Sequence, residues 1–201
     1  MTTVGQFSLL IAFALSLYII IANWIVGKSG NERLRASCEN SVYVLTGLIV
    51  LSSAALLYAF VTRDFSISYV AHYSNRDLSL FYTLSAFWAG QKGSLLLWSI
   101  VLSFFCSIVS IQNRHKNREL IPHVMIVLHL ILAFFIFLMN FSTNPFEKSF
   151  ETPLDGSGLN PMLQNPAMMI HPPTLFLGYV GFSVPFAFAM AALITGKLSD
   201  V

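Results

Sequence analysis

The chain has 201 residues, of which 56% are hydrophobic and only 10% are charged, and its formal net charge is +2. A soluble domain of this length needs far more charge to cover its surface. The small charge, spread over loops, argues against nucleic acid as a partner. No Cys-x-x-Cys pair appears, which excludes thioredoxin-like redox chemistry. The composition therefore predicts a polytopic membrane protein of the all-α class.

Five apolar segments are predicted to span the membrane: 5–27, 41–62, 94–111, 121–141 and 174–195. The first contains 23 uncharged residues, and at 1.5 Å per residue it reaches about 34 Å, enough to cross a bilayer. A further apolar stretch near 80–93 is interrupted by glycines, which predicts a broken or re-entrant piece. The segment 142–173 holds six of the eight prolines and is predicted to be a long, shaped loop.

Charge asymmetry predicts the orientation of these spans. The first and third loops and the tail carry seven basic residues: Lys28, Arg33, Arg35, Arg114, Lys116, Arg118 and Lys197. The second and fourth loops carry three: Arg63, Arg76 and Lys148. Because basic residues favour the cytoplasmic side, we expect the N-terminus outside, the C-terminus in the cytoplasm and the loop 142–173 outside.

His171 is the first candidate functional residue. Pro172 and Pro173 fix their own φ near −65° and disfavour helix in the residues before them, so we expect the imidazole just before the fifth span. A neutral imidazole held in this way is a good axial ligand for haem iron. A single His-Pro-Pro is a weak motif, and an interfacial histidine that only hydrogen-bonds a loop is the alternative.

The run 88–98, WAGQKGSLLLW, is the second feature. Its two glycines allow tight packing or a break in the helix. Lys92 either contacts a carboxylate, such as a haem propionate, or extends to the interface. Apolar residues of the long loop, among them Met168, either line a pocket for a flat cofactor or pack on lipid and neighbouring helices.

Two other histidines carry open alternatives. His129 lies near the middle of the fourth span, where it could be a haem ligand, a proton relay or an interhelical hydrogen-bonding group. His72 lies in the second loop, on the same predicted side as His171, and matches no motif.

The stretch 155–188 contains DG-x-GLNP-x-LQ-x-P-x-x-x-IHPP-x-L-x-x-GYVGFS and resembles the large haem lyase subunit of the cytochrome c maturation system, the CcmF type. The run NPF at 144–146 and the run 88–98 fit the same pattern. The resemblance covers about 80–195. In relatives Glu often stands where this chain has Lys92, and Asp often stands where it has Asn165.

The resemblance implies a haem-handling subunit of cytochrome c biogenesis in the bacterial cytoplasmic (inner) membrane. His171 matches the first of two outside histidines that ligate haem, and Trp88, Pro172 and Pro173 are implied to help hold the cofactor. The implied cofactor is b-type haem, bound transiently and non-covalently. No catalytic residue is assigned.

The tryptophan-rich W-W-D segment and the second histidine would follow the fifth span, so the resemblance implies an N-terminal portion with an incomplete haem site and no complete active site. Its implied partners are the rest of the haem lyase, a membrane-anchored haem chaperone, and apocytochrome c with its thiol-handling subunits. A transporter or proton-pump subunit, supported by the broken segment and His129, and a non-catalytic structural fragment are the alternatives.

Overall fold

The structure is a computed structural model that describes residues 1–114 and 116–196. These residues form eight α-helices: α1 (Thr2–Ser29), α2 (Glu32–Val61), α3 (Ser68–Tyr73), α4 (Leu80–Ser85), α5 (Gln91–Gln112), α6 (Ile121–Phe141), α7 (Pro166–Gly181) and α8 (Ser183–Thr195). Short 3₁₀ turns occupy Ala86–Trp88 and Pro161–Leu163. An isolated antiparallel bridge joins Ile67 to Lys148.

Five of the helical segments are long and apolar enough to cross a membrane, with α7 and α8 counted as one. This confirms the predicted all-helical, multi-pass class. In the bundle, α1 packs between α2 and α6, α5 also packs against α2 and α6, α7 lies on α5, and α8 lies on α6. Small and polar residues allow close approach, as where Ser52 Oγ donates to the Gly5 carbonyl at 3.1 Å.

The second helix begins about nine residues earlier than the apolar pattern predicts, at Glu32 instead of 41. Asn31 caps it, because its side-chain oxygen accepts the N–H groups of Arg33 and Leu34 at 3.0 and 3.2 Å. Glu32 also places a negative charge at the positive end of the helix dipole. Local capping therefore extends the helix through a polar segment that hydropathy assigns to a loop.

The last span also begins earlier than predicted, at Pro166 rather than 174. Asn165 accepts the Ala167 N–H at 2.9 Å and caps α7, and Pro166 takes the first helical position, where its missing N–H costs nothing. His171 therefore lies inside α7 and not on the loop before it. Pro172 and Pro173 are tolerated within the helix, although each removes one main-chain hydrogen bond.

The two ends of the bundle differ in their contacts. At one end Arg35 and Arg118 join the start of α2 to the α5–α6 connection, where Arg118 pairs with Glu32 at 3.1 Å. At the other end the loops after α2 and α6 meet, and Arg76 N donates to Asp155 Oδ1 at 2.9 Å. Most of the basic residues counted above lie at the first end, and Lys197 lies outside the described residues. The side of the membrane that each end faces remains a prediction.

Candidate functional site

A cleft at the loop end of α5 brings together two of the predicted cofactor-binding residues, Trp88 and Pro172. Its lining residues are Ser85, Trp88, Ala89, Leu159, Leu163, Met168 and Pro172. Its volume is about 80 Å³, well below that of ligand pockets, which run from roughly 300 to 1,000 Å³. The lining is mostly apolar, so the cleft offers a wall for a flat hydrophobic group without enclosing a large one.

His171 is exposed on α7 beside this cleft and does not line it. Met168 and Pro172 share one face of the helix, whereas His171 lies about 60° around the axis from Met168, at 100° per residue. Thr174 Oγ1 donates to the His171 carbonyl at 2.9 Å, which supports the backbone where the prolines interrupt the helical ladder. The imidazole is thus exposed on the surface of the bundle, on a fixed backbone. Pro173 is half-buried and lies away from the Met168–Pro172 face.

The turn that carries Trp88 is organised by Tyr69, a residue that the sequence does not single out. The Tyr69 hydroxyl accepts the Gly90 N–H at 3.0 Å, and its single proton is shared between the Phe87 and Gly90 carbonyl oxygens, each 3.1 Å away. Burial raises the pKa of this hydroxyl, so it stays protonated and able to donate. These contacts set the break between the 3₁₀ turn and α5.

Both glycines of the motif lie in close packing, and at Gly93 the neighbouring atom is a main-chain oxygen that leaves no room for a side chain. A Cβ on Gly93 would lie 1.7 Å from the Phe87 carbonyl oxygen, and one on Gly90 would lie 2.4 Å from the Tyr73 ring. The run 89–93 is therefore a tight backbone corner against two tyrosines, and it positions Trp88 at the cleft and Lys92 on the opposite side.

Lys92 pairs with Glu147, which lies in the loop after α6. Lys92 donates a hydrogen bond to this carboxylate and adds its positive charge, and together these hold the pKa of Glu147 below its usual range. Lys92 therefore contacts a carboxylate, as one of the two alternatives predicted, and that carboxylate comes from the same chain. Sequence reasoning missed Glu147, because nothing in the local pattern connects residues 55 positions apart.

The other two histidines lie apart from the cleft. His72 is exposed in α3 and packs edge-on against Tyr73, with ring centroids 5.0 Å apart. His129 is fully buried in α6, where its Nδ1 lies 2.8 Å from the Met125 carbonyl oxygen. Its Nε2 has no hydrogen-bond partner among residues 1–114 and 116–196. Over the same residues, no group of three His, Cys, Asp or Glu side chains converges as a metal site.

The loop 155–158 is fixed against α3 and the segment that follows it. Asp155 Oδ1 accepts from Gly156 N at 2.7 Å, and Ser157 N donates to the Ala71 carbonyl at 2.8 Å. A Cβ on Gly156 would lie 1.9 Å from the Ser74 carbonyl oxygen, so only glycine fits there. The DG-x-G motif therefore docks the long loop beside the cleft.

Comparison with known proteins identifies the family. The sequence model of the family described as "Cytochrome C assembly protein" matches residues 88–199, more than half of the chain. The chain belongs to the cytochrome C assembly protein family. The matched region begins at Trp88 and includes every residue that lines the cleft except Ser85, together with Lys92 and the whole of α7 with His171.

Individual relatives extend the similarity to nearly the whole chain. The cytochrome c-type biogenesis protein CcmF of Haemophilus influenzae is 39% identical over 197 residues, which are 98% of this chain and 30% of that protein. CcmF of Escherichia coli is 36% identical over 94% of this chain and 29% of its own length. A solved structure, cytochrome c haem lyase CcmF, superposes with a TM-score of 0.82 at 29% identity and covers 98% of this chain.

The chain spans about 30% of the length of these family relatives. Within that share, the run 88–98, the segment 159–163 and α7 all contribute to the Trp88 cleft, whereas Phe146 of the NPF run packs against Gly5. The glycines of the run 88–98 signal a close approach, but only the folded chain shows that Tyr69 and Tyr73 make it.

Proposed function

We propose that this chain forms part of the haem-handling machinery of cytochrome c biogenesis, with His171 as an axial ligand to haem iron. Membership of the cytochrome C assembly protein family supports the pathway. The single observation that supports the site is the exposed imidazole on α7 directly beside the apolar Trp88 cleft. Neutral imidazole nitrogen is a common ligand for haem iron, so the donor chemistry fits.

In this proposal each residue has a separate task. The His171 imidazole would hold the haem iron, and Trp88 with Pro172 would provide an apolar wall beside it that excludes water from the macrocycle. Pro173 contributes by stiffening α7 below the imidazole. Bound haem of the b type would supply the group to be attached to apocytochrome c, and a second ligand would come from outside this chain.

The proposed location is the outer side of the bacterial cytoplasmic membrane, supported by the charge asymmetry of the loops. The proposed partners are a membrane-anchored haem chaperone that delivers haem, the remainder of a haem lyase, and apocytochrome c with its thiol-handling subunits. A cysteine placed at position 171 should react with membrane-impermeant maleimide added outside intact cells. Labelling only by a reagent confined to the cytoplasm would invert the topology and end the proposal.

The ligand assignment is tested by haem spectroscopy of the chain in lipid nanodiscs, alone and co-expressed with the remainder of a relative. The His171→Ala variant should lose the Soret and α-band signature of imidazole ligation. The matched control is His123→Ala, which removes a partly exposed histidine at the start of α6, at the opposite end of the bundle from both cavities. Identical spectra for the parent and the His171 variant would remove His171 as a ligand.

A second candidate function, proton or solute transport, is favoured by one observation. His129 is an ionisable side chain buried in the middle of α6, and its Nε2, which has no partner among the described residues, is open to a proton donor or acceptor. This candidate predicts a transport defect in His129→Ala cells whose c-type cytochromes are still made. Normal transport together with lost cytochromes would exclude it.

A further inference from the structure

A second cavity lies at the same end of the bundle, on the far side of the corner that carries Trp88. Its lining residues are Ser68, Tyr69, His72, Tyr73, Gln91 and Lys92. Its volume is about 210 Å³, larger than the roughly 80 Å³ of the Trp88 cleft. The lining presents one ammonium group, an imidazole, an amide and the hydroxyl groups of Ser68 and Tyr73, all of which can donate hydrogen bonds to an anion, whereas the Tyr69 hydroxyl is already engaged with the main chain.

The two cavities are close along the chain. Trp88 faces the cleft and Lys92 faces the second cavity, and four residues span at most about 14 Å. The corner at Gly90 is held in place by Tyr69, so this separation is fixed. A flat ligand that rests on Trp88 can therefore extend a flexible acidic arm toward Lys92.

Lys92 already holds a carboxylate, that of Glu147, and this side chain is free to leave. The Glu147 side chain is 61% exposed, whereas that of Lys92 is 25% exposed. The backbone on either side stays in place, because Phe146 is buried and the Glu147 carbonyl accepts Ser68 N–H at 2.9 Å. Exposed ion pairs contribute little to stability, so a ligand carboxylate can replace Glu147 without disturbing the fold.

We propose that the cavity formed by His72, Gln91 and Lys92 is a carboxylate-binding subsite, whose Lys92 ammonium group stays paired with Glu147 until an acidic arm of the ligand displaces that carboxylate. The inference rests on the proposed function, because the ligand that joins the cleft and the cavity is the porphyrin with its propionates. The subsite acts independently of iron, since no residue in it needs to coordinate a metal.

The test uses a metal-free porphyrin with two propionates and the same porphyrin as its dimethyl ester. Each is titrated by fluorescence anisotropy into the full chain in zwitterionic nanodiscs, with empty nanodiscs as the blank. The Lys92→Met variant should weaken binding of the diacid about tenfold, because a charge-assisted bond is lost. The Glu147→Gln variant should tighten it about threefold, because the internal competitor is removed. The ester should respond to neither.

Two control variants make the same changes of charge elsewhere in the loop: Lys148→Met and Glu151→Gln, both at exposed positions. They should leave the affinity for the diacid unchanged. Equal binding of diacid and ester, or equal effects of the controls, would overturn the subsite.

The outcome for the proposed function is read separately, from the iron spectrum of the His171→Ala variant. If the affinity for the diacid depends on Lys92 but the iron spectrum is unchanged in His171→Ala, the subsite is supported and the assignment of His171 as a haem ligand is wrong. The reverse result would retain the ligand and overturn the subsite. A parent chain that binds neither porphyrin would overturn both.

Discussion

The substitution Gly93→Ala tests whether the corner between the 3₁₀ turn and α5 depends on contact with Tyr69. In an open helix, alanine is more favourable than glycine by about 1 kcal/mol. At position 93 the new methyl group would lie 1.7 Å from the Phe87 carbonyl oxygen and 2.6 Å from the Tyr69 hydroxyl. The turn must therefore move away, and the hydrogen bonds of Tyr69 to Phe87 and Gly90 are lost.

The magnitude follows from those bonds. Each buried polar group left without a partner costs about 1–3 kcal/mol, and at least two are affected, so the net loss after the gain in helix propensity is about 3 kcal/mol. The matched control is Gly47→Ala in α2, where a Cβ meets no atom within 4 Å among the described residues. That variant should be neutral or slightly stabilised.

The assay is unfolding in mixed micelles at increasing SDS fraction, followed by tryptophan fluorescence, with circular dichroism as a second probe. The Gly93→Ala variant should unfold at a clearly lower SDS fraction than the parent, and Gly47→Ala at the same fraction or higher. A Gly93→Ala midpoint equal to or above that of the parent would refute the packing argument.

Three further predictions concern single side chains. Tyr69→Phe should lower the free energy of unfolding by about 2 kcal/mol, because buried main-chain groups lose their partner. The control Tyr18→Phe, at the surface, should change it little. Equal unfolding midpoints for the two variants would contradict this prediction. Asn165→Ala should lower the free energy of unfolding by about 1 kcal/mol, because α7 loses its N-terminal cap, whereas Asn165→Asp should keep the cap and the stability. The same unfolding assay measures both variants, and equal losses of stability in the two would contradict the capping role. The Lys92 hydrogen bond lowers the pKa of the Glu147 carboxyl, so the pair is intact above the usual glutamate range and is lost as the pH falls through the lowered pKa. In Lys92→Met that pKa should rise, which NMR titration of ¹³C-labelled glutamate checks, and an unchanged value would contradict the pairing.

The His-Pro-Pro motif predicts the rigidity of the backbone at His171 correctly, but not the position of this residue relative to the helix. His-Pro-Pro suggests an imidazole that is held rigid before a helix, yet α7 begins five residues earlier, at Pro166. The cause is the Asn165–Pro166 pair, which favours the start of a helix at this point. This preference outweighs the tendency of Pro172 and Pro173 to interrupt the helix. The rigidity survives, but the imidazole points from the side of a helix. Asparagine at 165 also keeps the capping function that aspartate would provide.

The sequence by itself determined the class of this protein, because the length and hydrophobicity of a membrane-spanning segment are local properties. The five apolar segments and the motifs around Trp88 and His171 could be recognised without knowing which residues contact each other in the fold. The ends of the helices were harder to predict, because Asn31 and Asn165 cap helices that begin within polar segments, and a hydropathy pattern does not detect such caps.

Only the tertiary structure decided which residues meet. Trp88 and Pro172 line one cleft, Lys92 pairs with Glu147, and Tyr69 holds the Gly90 corner. The physical reason is that these contacts join residues that are distant along the chain. Their energies depend on helix packing and on one buried hydroxyl, neither of which leaves a periodic signal in the sequence.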